Sequence, residues 1–544
     1  DLVKMKATLG PPSRPVAPGS YDFRRDLFFD RIGGIGFGYG RIGVLPSPDG
    51  GSALMQRLRH VFAGLRAAIE ARILAALPDP GIAGVAVAFV TGSQSAVPKD
   101  VLSAMRDSGL AHLLSVSGLH VGLAAGILFF LSRAALALIP AVALRWPIKK
   151  WAAGLALAGA IFYTLLAGAS VPIVRACLMA AIALLAIIWD RQPISMRPVA
   201  WAASVVLLLW PESLIGPSFQ LSFAAIVALT AVWEELAPRR RGERGILRRG
   251  FSKTRDMVLT SLVASLATAA FAIYHFNRLT GYGVVANMLA IPLTGLWVMP
   301  FLILSLLLMP VGLGDLALQP AGWGIAAILW TARTVAGWPG AVFVVPSMPP
   351  VGIALVSLGG LWLCLWRRPW RFAGLAVIAS GVATFWLDRP PDLLVSADGR
   401  LVAVAEADGS LRLSSQRANR FAAQEWLRRA GQDRPLAWTS APGEPSRLDC
   451  DGADCRYRID GREAAIVRSP AGLEAACRRS DLVIALLPPG DCSAPMIGLR
   501  DLARDGAYAI WLDPDGVRLL SVRTVQGDRP WAPADDNGLG ADDQ

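Results

Sequence analysis

The stretch HLLSVSGLHVGLAAGILFFLSRAALALIPAV, residues 112–142, joins a segment with two serines and two histidines to a long apolar run. The apolar run is long enough to cross roughly 30 Å of hydrocarbon as a helix. Comparable runs with few charges recur between residues 118 and 388. The chain is 54% hydrophobic with a mean hydropathy of +0.47, above the roughly 45–50% of soluble domains. The sequence therefore predicts a polytopic all-α membrane protein.

Charge patterning orients the predicted helices. The loops at 145–150, 191–197, 238–255 and 367–371 are basic, and residues 238–255 carry eight basic residues and one acid. Because cytoplasmic loops are enriched in Lys and Arg, we expect these loops inside the cell and everything after Leu387 outside. The apolar runs predict about ten crossings: 118–142, 151–169, 172–190, 198–211, 216–236, 257–277, 283–310, 321–338, 351–366 and 371–387. The seventh of these spans is interrupted by Pro292 and Pro300.

Residues 111–388, which contain the crossings, are flanked by segments of other composition. Residues 1–50 have turn signals between short alternating runs, which predicts a small β-rich piece, and we expect further sequence before Asp1. Residues 51–110 are predicted to form an amphipathic helix on the membrane surface and a short re-entrant segment, GIAGVAVAFVTG. Residues 391–544 predict a soluble α/β or α+β domain with Asp-Gly hairpin turns.

The cysteines and the net charge each leave two interpretations open. Cys450, Cys455, Cys477 and Cys492 all fall in the soluble C-terminal segment. Outside the cell membrane two disulfides are the expected use, and a four-thiolate zinc site is the alternative, although tight paired spacing is missing. The net charge of +12 fits either cytoplasmic basic loops or contact with nucleic acid.

Polar side chains at membrane depth are costly and are therefore functional candidates. Ser117 and His120 share a helix face, which fits a nucleophile and base, a polar lining, or close helix packing, and no acidic third partner lies nearby in sequence. Arg175 either reaches the interface or faces an aqueous path and meets phosphate. The similar outer depth of these groups predicts a shared vestibule, to which two further motifs, PSFQLSFAA and YHFNRLTGYGVVANMLAIP, add Gln220, Ser222, His275 and Asn287.

Four ordered motifs, HLLSVSGLHVG, SVPIVRACLMA, PSFQLSFAA and HFNRLTGYGVVANMLAIP, resemble the ComEC family of competence proteins. The stretch PGSYDFRRDLFFDRIGGIGFGYG resembles the end of the OB-like periplasmic domain of that family. The resemblance implies a channel in the bacterial inner membrane that passes single-stranded DNA into the cytoplasm during transformation. It also implies a cytoplasmic helicase-type ATPase, periplasmic DNA-binding competence proteins and membrane lipid as partners, and a homo-oligomer stays open. It implies no ATP site in this chain, and no G-x-x-x-x-G-K-[ST] motif is present.

The resemblance also bears on the two soluble parts. Arg24 and Arg25 lie beside aromatic residues, as in base-stacking platforms, and are candidate DNA contacts, with core packing of the aromatics as the alternative. Many family members carry a C-terminal metallo-β-lactamase-like domain. Here no histidine follows His275, so residues 391–544 are predicted to be a degenerate copy or a replacement, without metal, cofactor or nuclease activity. Two rival functions remain: a membrane-embedded hydrolase using Ser117 and His120, and a transporter of a lipid-linked or small polar substrate.

Overall fold

The computed structural model describes residues 2–45, 54–116, 118–192, 195–236, 246–439, 446–488 and 490–532. A helical body follows a short N-terminal strand pair and precedes a C-terminal β domain. The helices of the body are α2 (Leu54–Ala76), α3 (Pro80–Thr91), α4 (Lys99–Asp107), α5 (Ala111–Leu114), α6 (Gly118–Ala137), α7 (Pro140–Arg145), α8 (Ile148–Leu166), α9 (Val171–Ile188), α10 (Met196–Leu209), α11 (Pro217–Leu236), α12 (Ile246–Phe276), α13 (Gly283–Pro292), α14 (Met299–Leu308), α15 (Gly314–Ala336), α16 (Pro350–Leu365) and α17 (Ala373–Ala383).

A helix occupies each span predicted from hydropathy. Within the described residues, four helical stretches are long and apolar enough to cross a membrane: Gly118–Ala137, Pro217–Leu236, Thr254–Phe276 and Gly283–Val311. Other apolar helices are shorter, such as Pro172–Ile188 and Met196–Leu209. The chain is therefore a helical membrane protein, while the larger number of crossings stays a prediction.

Two boundaries differ from the sequence-based expectation. α12 begins at Ile246, inside the segment predicted as a basic loop, because Arg and Lys are good helix formers and extend the helix beyond its apolar part. The seventh predicted span is also not broken at its prolines. A π-helical segment, Leu293–Val298, connects α13 to α14, and such wide turns accommodate the missing N–H of Pro300 within a continuous helix.

The short apolar segment before the first long span lies at the centre of the body. It forms α3, in which Gly81 and residues 83–91 are buried. α3 packs against α2, α5 and α15, and a Cβ atom at Gly84 would lie 2.5 Å from the carbonyl oxygen of Ala96. Protein therefore surrounds this segment on several sides.

Charged contacts bring the basic loops to one end of the body. Lys150 Nζ lies 2.5 Å from Asp190 Oδ2, which joins the first turn of α8 to the end of α9. Glu234, at the end of α11, accepts from the Met196 amide at 2.9 Å and from Arg367 Nη2 at 2.6 Å. Three of the basic loops thus lie at the same end of the helices.

The C-terminal part is a four-layer domain. Its elements are β5 (Leu393–Val395), β6 (Val402–Ala405), β7 (Leu411–Leu413), α18 (Arg420–Arg429), β8 (Leu448–Asp451), β9 (Asp454–Ile459), β10 (Arg462–Val467), α19 (Pro470–Arg479), β11 (Leu482–Ala485), β12 (Met496–Gly498), α20 (Leu499–Asp505), β13 (Tyr508–Asp513), β14 (Gly516–Ser521) and α21 (Val522–Gln526). The sheets have the orders β12-β11-β10-β9-β8 and β14-β13-β5-β6-β7. An apolar core lies between the sheets, and α18 and α19 cover their outer faces. The predicted mixed α and β character agrees with this arrangement.

The N-terminal residues lie against the C-terminal domain. β1 (Leu2–Gly10) and β2 (Ile35–Leu45) form an antiparallel pair, with α1 (Phe23–Phe29) between them in sequence. Trp426 Nε1 of α18 donates to the Val16 carbonyl oxygen at 2.9 Å, and Gln526 Nε2 donates to Asp22 Oδ2 at 2.6 Å. The two soluble parts of the chain therefore lie on the same side of the helical body.

Candidate functional site

Two of the predicted site residues meet where α11 begins and α12 ends. His275 Nε2 lies 2.8 Å from Gln220 Oε1. Gln220 Nε2 donates to the Leu214 carbonyl oxygen at 3.0 Å. Because the amide nitrogen is engaged in this way, the amide oxygen accepts and the imidazole donates from Nε2. We call these two residues the Gln220–His275 pair.

Asn277 determines where α12 stops and therefore where His275 lies. Its φ of 55° is in the left-handed region, which asparagine tolerates better than most residues. Its Nδ2 donates to the Val345 carbonyl oxygen at 3.2 Å and to Ser347 Oγ at 3.1 Å. Asn277 was not among the predicted site residues, although an asparagine directly after an apolar helix is a recognisable C-terminal signal.

Two guanidinium groups from the soluble parts lie near the same helix end. Arg25 acts electrostatically on both Tyr274 and His275, and Arg429 acts on Tyr274. Arg429 Nε donates to Ser347 Oγ at 3.2 Å, and its Nη1 donates to the Pro18 carbonyl oxygen at 3.1 Å. The Gln220–His275 pair therefore lies close to positive charge contributed by segments distant in sequence.

A cavity of about 340 Å³ opens where the soluble parts meet the helical body. Its lining includes Asp22 and Arg25 from the N-terminal segment, Ile215 from the α10–α11 link, and Val525 and Trp531 from the C-terminal domain. The cavity thus lies where the helical body meets both soluble parts, and we call it the vestibule cavity.

Arg24 and Arg25 have different surroundings although they are adjacent. The Arg24 side chain is buried, and its Nε donates to the Pro12 carbonyl oxygen at 2.8 Å. Arg25 lines the vestibule cavity and lies 3.2 Å from Asp26. Arg24 therefore has a structural position, and Arg25 remains the candidate for contact with nucleic acid.

His120 lies inside the helical body. Its ring is fully buried, and its centroid is 4.9 Å from that of Phe89 in an edge-on arrangement. Tyr163 Oη donates to the Phe89 carbonyl oxygen at 2.5 Å, which ties α8 to α3 beside the imidazole. Ser117 lies outside the described residues, so the serine–histidine pairing stays a prediction.

The other candidates lie on separate helices. Arg175 is buried on α9, whereas Ser222 on α11 and Asn287 on α13 are half-buried. Buried atoms without a hydrogen-bond partner in the described part of the chain include Arg175 Nε and Nη1 and Asn287 Oδ1. The structure therefore joins Gln220 to His275 directly and leaves the shared vestibule of all the candidates as a prediction.

The cysteines of the C-terminal domain form two pairs in the structure. Cys450 is bonded to Cys455 and Cys477 to Cys492, with S–S distances of 2.05 and 2.02 Å. Among the residues that the structure describes, no group of three or more His, Cys, Asp or Glu side chains is arranged to hold a metal ion. The pairing matches the disulfide interpretation of the sequence.

A family model described as "Competence protein" matches residues 89–370, just over half of the chain. The chain belongs to the competence protein family. The matched range contains α6, α9, α11, α12 and α13, and so most of the candidate residues. No solved structure matches the chain.

Curated relatives of this competence-family chain include ComE operon protein 3 of Bacillus subtilis (strain 168), 25% identical over 307 residues, 56% of this chain and 36% of that protein. Competence protein ComA of Neisseria gonorrhoeae is 32% identical over 305 residues, 55% of this chain and 41% of the relative. The uncharacterized protein YcaI of Escherichia coli (strain K12) is 27% identical over 318 residues, which are 54% of this chain and 38% of that protein. The aligned part thus covers about two fifths of the length of these relatives.

Proposed function

We propose that this competence-family chain conducts single-stranded DNA across the bacterial inner membrane during transformation. The observation that carries the proposal is the hydrogen-bonded Gln220–His275 pair at the end of the helical body that meets the soluble parts. The vestibule cavity lies at the same junction and is lined by Arg25 and Trp531 among others. The relatives named for competence support DNA as the transported polymer.

The chemistry of the pair suits a polyanion that must keep moving. A strand entering a low-dielectric slab needs donors and some positive charge, while strong fixed binding would trap it. The imidazole and amide are neutral donors and acceptors, and Arg25 adds one charge at the edge. Exposed aromatic rings near Arg25, such as Phe28 and Phe29, offer surfaces on which bases stack.

The direction of transport and the partners belong to the same proposal. Basic loops gathered at one end of the helices favour that end as the cytoplasmic one, so the two soluble parts face the periplasm. A helicase-type ATPase then pulls from the cytoplasmic end, and periplasmic DNA-binding proteins deliver the strand. In this proposal the chain acts in transport and not as a nuclease, because its C-terminal segment lacks the histidines of a metal-dependent nuclease.

Uptake of labelled DNA into the cytoplasm of a deletion strain tests the function. We expect cytoplasmic label to fall to background and to return when the gene is restored. Normal uptake in the deletion strain would contradict the channel proposal.

Gln220→Leu tests the observation that carries the proposal. The substitution leaves the His275 N–H without its partner, at a cost of about 1–3 kcal/mol, and we expect lower uptake at an unchanged amount of membrane-inserted protein. Ser218→Ala is the control, because Ser218 is an exposed residue of the same helix. Equal uptake by both variants would remove the pair from the proposed path.

A further inference from the structure

Arg175 is a buried charge that the Gln220–His275 pair does not explain. Its side chain keeps 4% of its surface exposed. Its Nε and Nη1 atoms are buried and have no hydrogen-bond partner within the described residues. Because an uncompensated buried guanidinium is costly, its retention within the apolar body indicates a partner outside the described residues.

Helix geometry directs the Arg175 side chain toward the N-terminal turn of α9. Arg175 lies in the second turn of α9, and long helical side chains extend toward the N-terminus of their own helix. Met179 follows one turn later on the same face, and its Cε would lie 3.8 Å from a Cβ atom at Gly118, the first residue of α6. The start of α6 therefore approaches the face of α9 that carries Arg175.

The electrostatic contributions at this point all have the same sign. A helix N-terminus carries a partial positive charge, and cations are favoured at the opposite end. Arg175 thus adds a full positive charge where the helix dipoles already disfavour one. The Ser170 hydroxyl at the start of α9 makes no capping hydrogen bond. A bound anion would compensate all of these groups at once.

We propose that Arg175 and the N-terminal ends of α6 and α9 bind one phosphodiester group of the nucleic-acid strand. The planar guanidinium matches two non-bridging phosphate oxygens. A single arginine within an apolar helical body makes a contact that a moving strand can leave. The inference rests on the proposed function for the source of the phosphodiester, since anionic lipid headgroups carry the same chemistry.

Binding of a short fluorescein-labelled oligothymidylate to the full chain in nanodiscs tests the site. We expect Arg175→Gln to weaken binding about tenfold, the effect of losing one charged hydrogen-bonded contact. The magnitude of the slope of log K against log salt concentration should fall by about 0.7, the value for one phosphate contact to a single strand. An oligothymidylate with neutral methylphosphonate linkages should bind both proteins equally.

Arg371→Gln is the matched control, because Arg371 pairs with Glu235 at the other end of the helices, and it should leave binding unchanged. Arg175→Lys keeps the positive charge but loses the two-pronged guanidinium. It should therefore retain the salt dependence and lose part of the affinity. If Arg175→Gln does not fold, Arg175→Lys is the variant that tests the site. Unchanged binding and slope in folded Arg175→Gln would overturn the site while DNA uptake by the wild type stands. If folded Arg175→Gln loses bound phosphatidylglycerol but keeps oligonucleotide binding, the site binds a lipid headgroup and the proposed nucleic-acid site is wrong.

Discussion

At the scale of single residues, buried charges in this chain are of two kinds. Glu406 and Arg412 of the C-terminal domain form an ion pair whose side chains are 10% and 5% exposed, with Glu406 Oε1 2.5 Å from Arg412 Nε. The same carboxylate accepts from Ser446 Oγ at 2.7 Å and from the Arg447 amide at 3.2 Å. The structure contains these partners, whereas the buried nitrogen atoms of Arg175 have none within its described part. We therefore assign a structural role to the Glu406–Arg412 pair and propose a ligand for Arg175.

Replacing Arg412 should make the C-terminal domain less stable, and most so at neutral pH. Burial raises the pKa of the Glu406 carboxyl, but hydrogen bonds from Ser446, Arg412 and the Arg447 amide outweigh it, so its pKa lies below the ordinary value. A carboxylate of this kind stabilises the fold above its unfolded pKa of about 4.3, and the contribution is lost as the pH falls through the folded pKa. Arg412→Met removes one of these partners, so we expect a loss of about 3–5 kcal/mol at neutral pH. The loss should shrink as the pH falls, because a protonated carboxyl gains little from the guanidinium.

Urea titration of the full chain, followed by trypsin cleavage within residues 391–532, measures this loss. Arg478→Met is the control, because Arg478 and Glu474 form an exposed pair of a kind that contributes less than about 0.5 kcal/mol. An equally small loss at neutral pH in the two variants would show that the buried pair is dispensable.

At the scale of elements, glycines decide how closely two helices approach. α16 and α17 cross where a Cβ atom at Gly359 would lie 2.6 Å from the Gly374 carbonyl oxygen and 2.8 Å from Ile378 Cγ1. The adjacent Gly360 has no atom within 4 Å of the corresponding position. Small residues at such crossings let backbones pack directly in a membrane, where burial in lipid gives little preference for one helix partner over another.

The adjacent glycines therefore give opposite expectations for the same substitution. Gly359→Ala should destabilise the helix pair by about 1–3 kcal/mol, the cost of overpacking. Gly360→Ala should be neutral or stabilise it by up to about 1 kcal/mol, because alanine is the better helix former. Thermal unfolding of the full chain in detergent, followed by tryptophan fluorescence, measures both, and a shared direction of change would contradict the crossing.

At the scale of the whole molecule, the ends of the helices differ in what they carry. The Lys150–Asp190 and Arg367–Glu234 contacts hold basic loops at one end. At the opposite end, Ser347 accepts from Arg429 of the C-terminal domain and from Asn277 at the end of α12. This polarity places the vestibule cavity and the basic loops on opposite faces of the predicted membrane.

Single cysteines test this orientation in a background with Cys177→Ser and Cys364→Ser. We expect a membrane-impermeant maleimide to label Gln416→Cys in intact spheroplasts, and to label Lys149→Cys and Arg368→Cys only after lysis. All three positions are exposed in the structure, so access to the reagent depends on the membrane. Labelling of Lys149→Cys in intact spheroplasts would reverse the proposed orientation.

Much of the architecture was predictable because its signals are local. Apolar runs located the helices from α6 to α17, and Asp-Gly turns located the strands β5 to β7. The start of α12 was predicted too late, since hydropathy does not register a charged helical extension. The proline-marked span was predicted to break, whereas a π-helical segment keeps it continuous, because the backbone can widen its turns without leaving the helix.

The amino-acid sequence by itself determined that this is a helical membrane protein with polar groups at the ends of its apolar runs, since hydropathy and capping act over one helix. Only the tertiary structure decided which polar groups meet. Gln220 and His275 are 55 residues apart and form a hydrogen bond because the start of α11 lies beside the end of α12. Arg24 and Arg25 are adjacent in sequence and yet one is buried while the other lines the vestibule cavity. Packing between distant segments sets these outcomes, and no pattern within one segment contains that information.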